Sequence, residues 1–408
     1  MSRILVIGAG IVGLCCANAL RAEGREVMVL DRDPAGDKCS FGNAAGIGVT
    51  EIIPASVPGL AWKVPGWLRD PLGPLSLRPA YLPKLAPWLL RFLRHGTWSE
   101  VERIAAALAT LSGRTYKDLL PLLDEIGLGG DLRPVGALWA YETAAGFAAD
   151  ARFRAIRRQH GLVCEEISGA EARALEPALG EAVRHAMFTP QWSHVADPRR
   201  IVDRLRRHVE QRGVTVARGE ATAIFGNELL LADGRRLDFC HLVVAGGAWS
   251  GRLAGSLGDR VLIESERGYN TTLPTPGVTL SHEVIFAERA FVATPIDAGL
   301  RIGGAAEFAG LDAPPNYARS DALAQLATRY LPGLNTAGGT RWMGHRPTTA
   351  DSLPVIGTSP RRPDVVYAFG HGHTGLTFGP TTGRLVAELV AGRPTSVDVA
   401  PFSIARFQ

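Results

Sequence analysis

The chain has 408 residues, more than one hydrophobic core usually serves, so two domains are expected. Its hydrophobic content of 46% and charged content of 21% are those of a globular enzyme, and a net charge of +4 without a Lys/Arg block implies no nucleic-acid partner. Five cysteines, an odd number with no C-x-x-C, fit neither a disulfide framework nor a zinc site; they read as reduced core thiols of a cytoplasmic protein, and no metal is expected.

Residues 4–20, ILVIGAGIVGLCCANAL, are apolar enough for a signal h-region or a short span, but their glycines argue for a nucleotide-binding turn. Gly8, Gly10 and Gly13 stand in G-x-G-x-x-G spacing after the strand-like Ile4 to Ile7. A helix-compatible segment runs from Val12 to Ala22, Gly24 closes it, and Glu26 to Leu30 form a second strand. Gly8 permits the tight turn, Gly10 lets backbone approach a pyrophosphate, and Gly13 lets helix and strand pack closely. The helix N-terminus offers free N–H groups and a positive dipole end. Asp31, followed by Arg32, ends the second strand where a carboxylate accepts hydrogen bonds from ribose hydroxyls and disfavours a 2′-phosphate.

From Glu51 to Leu93 the chain is rich in Pro and Trp, which predicts turns and short helical pieces rather than regular structure; Pro58 to Leu93 reads first as a buried irregular cap over the substrate domain, while its indoles also suit a membrane interface or a quinone-bearing partner. A helix is expected from Glu100 through Glu125, with Ser99 and Glu102 as a capping box. GALWAYE (from Gly136), RHAMFTP (from Arg184), RGYNTTLP (from Arg267), EVIFAERAFVATPI (from Glu283) and GLRIGGAAEF (from Gly299) read as strands of an antiparallel sheet. Between them lie an amphipathic helix over 198–213, strands in GVTVARGEATAIF (which contains Ala221), an Asp-Gly hairpin in ELLLADGRRL, and the buried strand LVVAGGAWS. Ala245, Gly246, Gly247 and Trp249 close that last strand as a second approach to the nucleotide. The fold expected is α/β: a Rossmann-like nucleotide-binding domain from 1–49, 196–256 and 340–408, and an interleaved substrate domain of antiparallel sheet plus helices from 50–195 and 257–339.

The most specific stretch is GHRPTTADSLPVIGTSPRRPDVVYAFGHGHTGLTFGPTTGRLVAELVAG, residues 344–392, with a strand over Val365 to Phe369, a glycine turn carrying His371 and His373, and a helix from about Gly379 to Gly392. Together with the N-terminal glycines, SFGNAAGIG (40–48) and LVVAGGAWS, its G-x-R-P-x-T-x-D-x-x-P-x-x-G and G-H-G-x-x-G patterns resemble the D-amino-acid oxidase superfamily of flavoproteins across nearly the whole chain. ERGYNTTLP and WMGHRP are most similar to bacterial D-amino-acid dehydrogenases, including the branch acting on D-proline or hydroxy-D-proline. The departures are Ala45 within the N-A-G segment and Ala350 where the signature usually carries Pro.

The resemblance implies FAD as the cofactor. Its sites would be Gly8, Gly10, Ile11, Val12, Gly13, Asp31, Arg32, Asn43, Ala44, Ala45, Gly46, Ala221, Ala245, Gly246, Gly247, Trp249, Gly372, Gly375, Leu376 and Thr377. Relatives with covalent flavin carry Cys at the position of Gly344, so attachment here would be non-covalent. Arg346 would clamp the substrate carboxylate, Tyr269 supply a hydroxyl, and His373 form a pocket wall; His371 is a turn residue near the flavin, and His194 and His345 are ordinary polar residues. The activity implied is oxidation of a D-amino acid or cyclic secondary amino acid to the imino acid, with electrons passed to a quinone or other carrier. A sarcosine- or glycine-type oxidase using oxygen, and a non-catalytic electron-transfer subunit, stay open as alternatives. Contact with a membrane would be at most peripheral.

Overall fold

The structure, a computed structural model, describes residues 3–69, 73 and 75–408. Asp70, Pro71, Leu72 and Pro74 of the Pro/Trp-rich stretch therefore lie outside the described residues. The first sheet has six strands in the order Thr215–Arg218, Val27–Asp31, Ile4–Ile7, His241–Val244, Val365–Phe369 and Val355–Thr358. All neighbours are parallel except the last pair. Ile4, Leu5, Val6, Val243, Val244 and Val366 are fully buried, as expected of strands covered on both faces. Strand order reverses around Ile4–Ile7, and that switch point opens a crevice at the carboxyl ends of the strands.

Two helices meet at this edge. Ile11–Ala22 packs on Gly375–Val390 so closely that a Cβ on Gly383 would lie 2.5 Å from the Cys15 carbonyl oxygen. The second helix starts four residues before the expected Gly379, because Thr374 already turns into it and Pro380 is tolerated within it. Both N-termini consequently point into the crevice.

The second sheet is mostly antiparallel. Its path runs Thr340–Thr349, Ile263–Leu273, Gly299–Phe308, Phe291–Ile296, Glu283–Phe286, Ala137–Tyr141, His185–Thr189 and Glu165–Ser168, with Leu75–Leu77 added in parallel to Gly299–Phe308. Glu283–Phe286 and Ala137–Tyr141 also pair in parallel. Thr340–Thr349, expected on the nucleotide-binding side, is an edge strand of this sheet instead, paired along its length with Ile263–Leu273. Gly299–Phe308 carries a bulge in which Ala305 and Ala306 face the single residue Gly268, and Ala305 takes φ 50°.

Two expectations about helices need correction. The capping box at Ser99 and Glu102 does not form: Thr97 is the N-cap, accepting from Glu100 N at 3.3 Å, and the predicted single helix breaks at Gly113 into Trp98–Ser112 and Thr115–Glu125. The Pro/Trp-rich stretch holds two full helices, Leu60–Arg69 and Leu82–Arg94, since Pro at the start of the second fits the helix's first turn and Trp88 is buried against Phe308. No helix among the described residues is long and apolar enough to cross a membrane.

Candidate active site

A cavity of about 820 Å³ runs from the crevice of the parallel sheet to the second sheet and out between the helices Leu60–Arg69 and Leu82–Arg94. At its nucleotide end the glycines divide by role. Gly8 has φ 107°, and a Cβ there would stand 2.4 Å from the Ala245 carbonyl oxygen; one on Gly13 would stand 1.9 Å from the Gly8 carbonyl. These two are required by packing. Gly10 is different: its Cβ would meet nothing nearer than Ser40 Oγ at 3.7 Å, so its missing side chain leaves room for a ligand.

Neither helix N-terminus is closed by its own residues. Gly10 and Thr374 make no side-chain caps, and neither first turn carries an acid. Ser40 Oγ accepts from Ile11 N at 3.1 Å, and the Thr374 hydroxyl donates back to the His371 carbonyl. The N–H groups of Gly375, Leu376 and Thr377 therefore face the cavity as an anion site. Asp31 accepts from Ala9 N at 2.8 Å and from Lys38 Nζ at 3.3 Å, which fixes its carboxylate at the end of the second strand. Arg32 lies 3.6 Å over the Trp249 ring, while Ala221, Gly246 and Gly247 line the adjoining wall.

Asn43 to Gly46 form the cavity floor. Asn43 Oδ1 accepts from Ala45 N at 2.8 Å, a side-chain-closed turn that holds Ala45 at φ 72°. Ala44 and Gly46 line the cavity; Ala45 and Gly13 are packed behind it. Gly48 N donates to Thr377 Oγ1 at 3.1 Å, tying this floor to the C-terminal helix.

At the other end Arg346 reaches in from Thr340–Thr349. Its Nη1 donates to Glu266 Oε1 at 2.7 Å and to Ala305 O at 3.0 Å, and Nη2 to Gly304 O at 3.2 Å. The bulge explains this: the left-handed Ala305 turns two successive carbonyls toward the guanidinium, and Gly268 leaves the space, since a Cβ there would sit 2.5 Å from Arg346 Cζ. Of five donors, Nε and one Nη2 proton keep no protein partner among the described residues.

Tyr269 does not present its hydroxyl to the cavity. The ring lines the wall, but the hydroxyl donates to Glu307 and accepts from Asn316 N at 3.0 Å, within a buried cluster that includes Arg267. His373 lines the cavity with its ring 63% exposed and 3.7 Å from Glu51, and its carbonyl accepts from Asn43 Nδ2. Gly372, beside it, also lines the cavity. Burial pushes His371 down to about 3, so it stays neutral, bonded to Thr382 Oγ1 at 2.9 Å. His345 accompanies Ser265 and Trp249, and buried His194 pairs with Gly46 across a short strand pair; burial lowers both to about 4.

Four acids and hydroxyls that the sequence did not single out also face this space. Burial pushes Glu51 up, yet His373 and Arg157 outweigh it and hold its carboxyl below the ordinary range. Glu266 behaves alike: burial opposes its charge, while Arg346, His373 and Thr348 favour it. Ser40 stands at the first helix. Glu283 lies 2% exposed with Trp192 Nε1 donating to it at 2.8 Å, and burial raises it to about 8.

The chain is similar to known proteins over almost its whole length. Residues 3–389 match the family described as "FAD dependent oxidoreductase". The chain belongs to that family. It is therefore an FAD-dependent enzyme of the oxidoreductase class, with the Rossmann-like fold its first sheet displays. It is 35% identical to a D-amino-acid oxidase of Bradyrhizobium diazoefficiens, over 99% of this chain and 98% of the other. It is 32% identical to a D-amino acid dehydrogenase of Paramagnetospirillum magneticum, over 99% of each. The glycine oxidase of Geobacillus kaustophilus superposes with a TM-score of 0.76 at 23% identity, covering 100% of this chain and 99% of that one. The L-proline dehydrogenase of P. horikoshii gives 0.77 at 20% identity, over 100% and 97%.

The residues present fit the cofactor. The open Gly10 cradle, two uncapped helix N-termini, Asp31 and the Asn43–Gly46 floor supply, within one cavity, what a pyrophosphate, a ribose and a flat ring system need.

Proposed function

We propose that this enzyme oxidises a D-amino acid, cyclic secondary amino acids such as D-proline or hydroxy-D-proline included, to the imino acid. The observation that carries the reading is the Arg346 guanidinium, which lines the cavity, is held by the Ala305 bulge and keeps two donors without a partner among the described residues. A permanently charged planar fork of that kind suits a carboxylate. The D-amino-acid relatives at 35% and 32% identity support the substrate class.

In this reading Gly8, Gly10, Ile11, Val12 and Ser40 receive the pyrophosphate, Asp31 the ribose, and Arg32, Ala221 and Trp249 the base end. Asn43 to Gly46, Ala245 to Gly247 and Gly372 to Thr377 frame the ring system. Bound FAD supplies the hydride-accepting chemistry. The chain's share is positional and electrostatic. Arg346 fixes the carboxylate, the wall of Phe291, Ala305 and Phe308 excludes water around the α-carbon, and the N–H groups from Gly375 to Thr377 favour negative charge where reduction places it. The test is anaerobic flavin bleaching by a panel of D- and L-amino acids, glycine and sarcosine, each beside its amide. Rapid bleaching by D-amino acids is expected, with amides inert. Bleaching by glycine or sarcosine alone would overturn the substrate class, and bleaching by none would leave a carrier of electrons.

The acceptor side follows from the cavity mouth. Trp62 is 89% and Leu90 63% exposed on the two helices that frame it, and Lys63, Arg69, Lys84, Arg91 and Arg94 accompany them with Asp70 the one acid between residues 56 and 94. Apolar side chains ringed by basic ones suit an anionic lipid surface. Leu60, Val64, Trp67, Leu85 and Phe92 line the passage inward, a path that suits a lipophilic quinone. Cosedimentation with anionic liposomes at low salt, weakened by Trp62→Ser and by added salt, is expected; no binding would leave the helices as a cap.

A further inference from the structure

We infer that Glu266 is the residue that binds the substrate's amino group, so that Arg346 and Glu266 together form a receptor for both charges of a zwitterion. The inference deepens the amino-acid reading above and rests on it.

The placement is fixed by the sheet. Glu266 and Arg346 are register partners on adjacent antiparallel strands, and both side chains emerge on the face that lines the cavity. Cross-strand neighbours of opposite charge pair without any need for chain rearrangement. Glu266 Oε1 accepts from Arg346 Nη1 at 2.7 Å, and Oε2 accepts from Thr348 Oγ1 at 3.0 Å. Two bonds leave acceptor capacity on a group that can take about four. With the side chain 19% exposed, that spare capacity opens toward the cavity.

Charge balance points the same way. A guanidinium that only had to be neutralised would be satisfied by one carboxylate, yet Arg346 Nε and one Nη2 proton have no protein partner among the described residues. The pair thus offers one cavity both those donors, at Nε and Nη2 of Arg346, and spare acceptor capacity on Glu266. An α-amino acid presents the complementary pattern, with carboxylate oxygens and a protonated amine separated by one carbon. A simple carboxylate would use only half of it, and a 2-hydroxy acid would bring Glu266 a donor without a charge. Arg346, His373 and Thr348 keep Glu266 ionised despite its burial, the state needed to attract an ammonium. Bulk is limited on this side too, because the Gly304 and Ala305 carbonyls close in on the guanidinium. Glu266 therefore reads the amine while Arg346 reads the acid, and selectivity for amino over hydroxy acids resides in the former.

The experiment uses the flavin-loaded enzyme and its Glu266→Gln variant, which keeps an oxygen to accept from Arg346 or Thr348 but loses the charge. D-alanine with propionate, and D-proline with cyclopentanecarboxylate, serve as probes with and without the amine. KM for the amino acids and Kd for the acids, the latter from the shift of flavin absorbance, are measured in both proteins. We expect KM to rise ten- to a hundredfold in Glu266→Gln while Kd for the acids stays within threefold or tightens. A parallel weakening of acids and amino acids would show that Glu266 merely positions Arg346, and an unchanged KM would show no role; either overturns the inference. Failure of the carboxylate clamp is read separately, as equal binding of each amino acid and its amide in the wild-type enzyme. Retained flavin content and melting temperature confirm that the variant is folded.

Discussion

Replacing Arg346 by Lys is expected to leave a folded, flavin-loaded enzyme whose kcat/KM for its amino-acid substrate falls roughly ten- to a hundredfold. A charge-assisted hydrogen bond to a carboxylate contributes on the order of 1.5–3 kcal/mol, and the ammonium of Lys keeps the charge while losing the planar fork. The fall should exceed that of a pure charge effect, because the guanidinium is held by three partners. The Gly304 and Ala305 carbonyls and Glu266 fix its plane, and a single ammonium cannot satisfy all of them and a substrate as well. If that plane also aims the α-carbon, kcat falls together with a rise in KM, since small misplacements are costly in rate. Acid and amide forms of the substrate provide the control. Wild-type enzyme should prefer the acid strongly and Arg346→Lys only weakly; equal discrimination by both proteins would mean that Arg346 does not hold the carboxylate.

What the sequence disclosed and what it hid divide along the range of the interactions. The first strand, helix and second strand are legible because Gly8, Gly10 and Gly13 act within one turn of chain and the flanking residues alternate too little for anything but a covered strand. The main strands of both sheets fall close to their apolar runs for the same reason. Errors arise where a local signal had two solutions. Ser99 and Glu102 have capping-box spacing, but Thr97 stands earlier and closes the helix first. Pro and Trp suggested irregular structure over 51–93, yet Pro83 in the first turn and Trp88 on the buried face suit the helix Leu82–Arg94, which also carries Pro87 in its interior.

The site was legible only in part. Glycines and Arg346 belong to recognisable spacings, whereas Glu266 and Glu283 are single acids in strands, and nothing local distinguishes them from solvent-facing ones. Their meaning comes from register: Glu266 becomes a partner of Arg346 across a strand pair, and Glu283 lies against Gly46, where a Cβ would come 2.3 Å from its carboxylate. Tyr269 shows the converse. Its motif is local, but the bulge opposite Gly268 and the buried Arg267 and Glu307 draw its hydroxyl away from the cavity.

Glu283→Gln is expected to remove a pH dependence that the wild-type protein carries. Glu283 is buried beneath the Gly46 floor, and the groups facing it are Trp192 Nε1, the Thr294 hydroxyl and the carboxylate of Glu51. None is a cation, so burial dominates and Glu51 adds to it, raising the group from its ordinary 4.5 to about 8. A carboxyl raised in this way holds its proton in the folded protein and releases it in the unfolded chain across that interval. The native state then binds the extra proton, and stability must fall as pH rises from about 4.5 to about 8. The slope approaches 1.4 kcal/mol per pH unit, which accumulates to about 3 kcal/mol by pH 7 relative to acid conditions. Gln is neutral throughout, can accept from Trp192 and can donate to the Thr294 hydroxyl. The variant should therefore match the wild type near pH 4.5 and exceed it increasingly toward pH 8, as read from denaturant unfolding at each pH. Activity should follow the same group. A carboxylate at this floor would oppose the negative charge that reduction brings to the neighbouring N–H groups, so wild-type kcat should decline above pH 8 and Glu283→Gln should lose that decline. Identical profiles in both proteins would show that Glu283 ionises without consequence, and that the acid beneath Gly46 is ordinary packing.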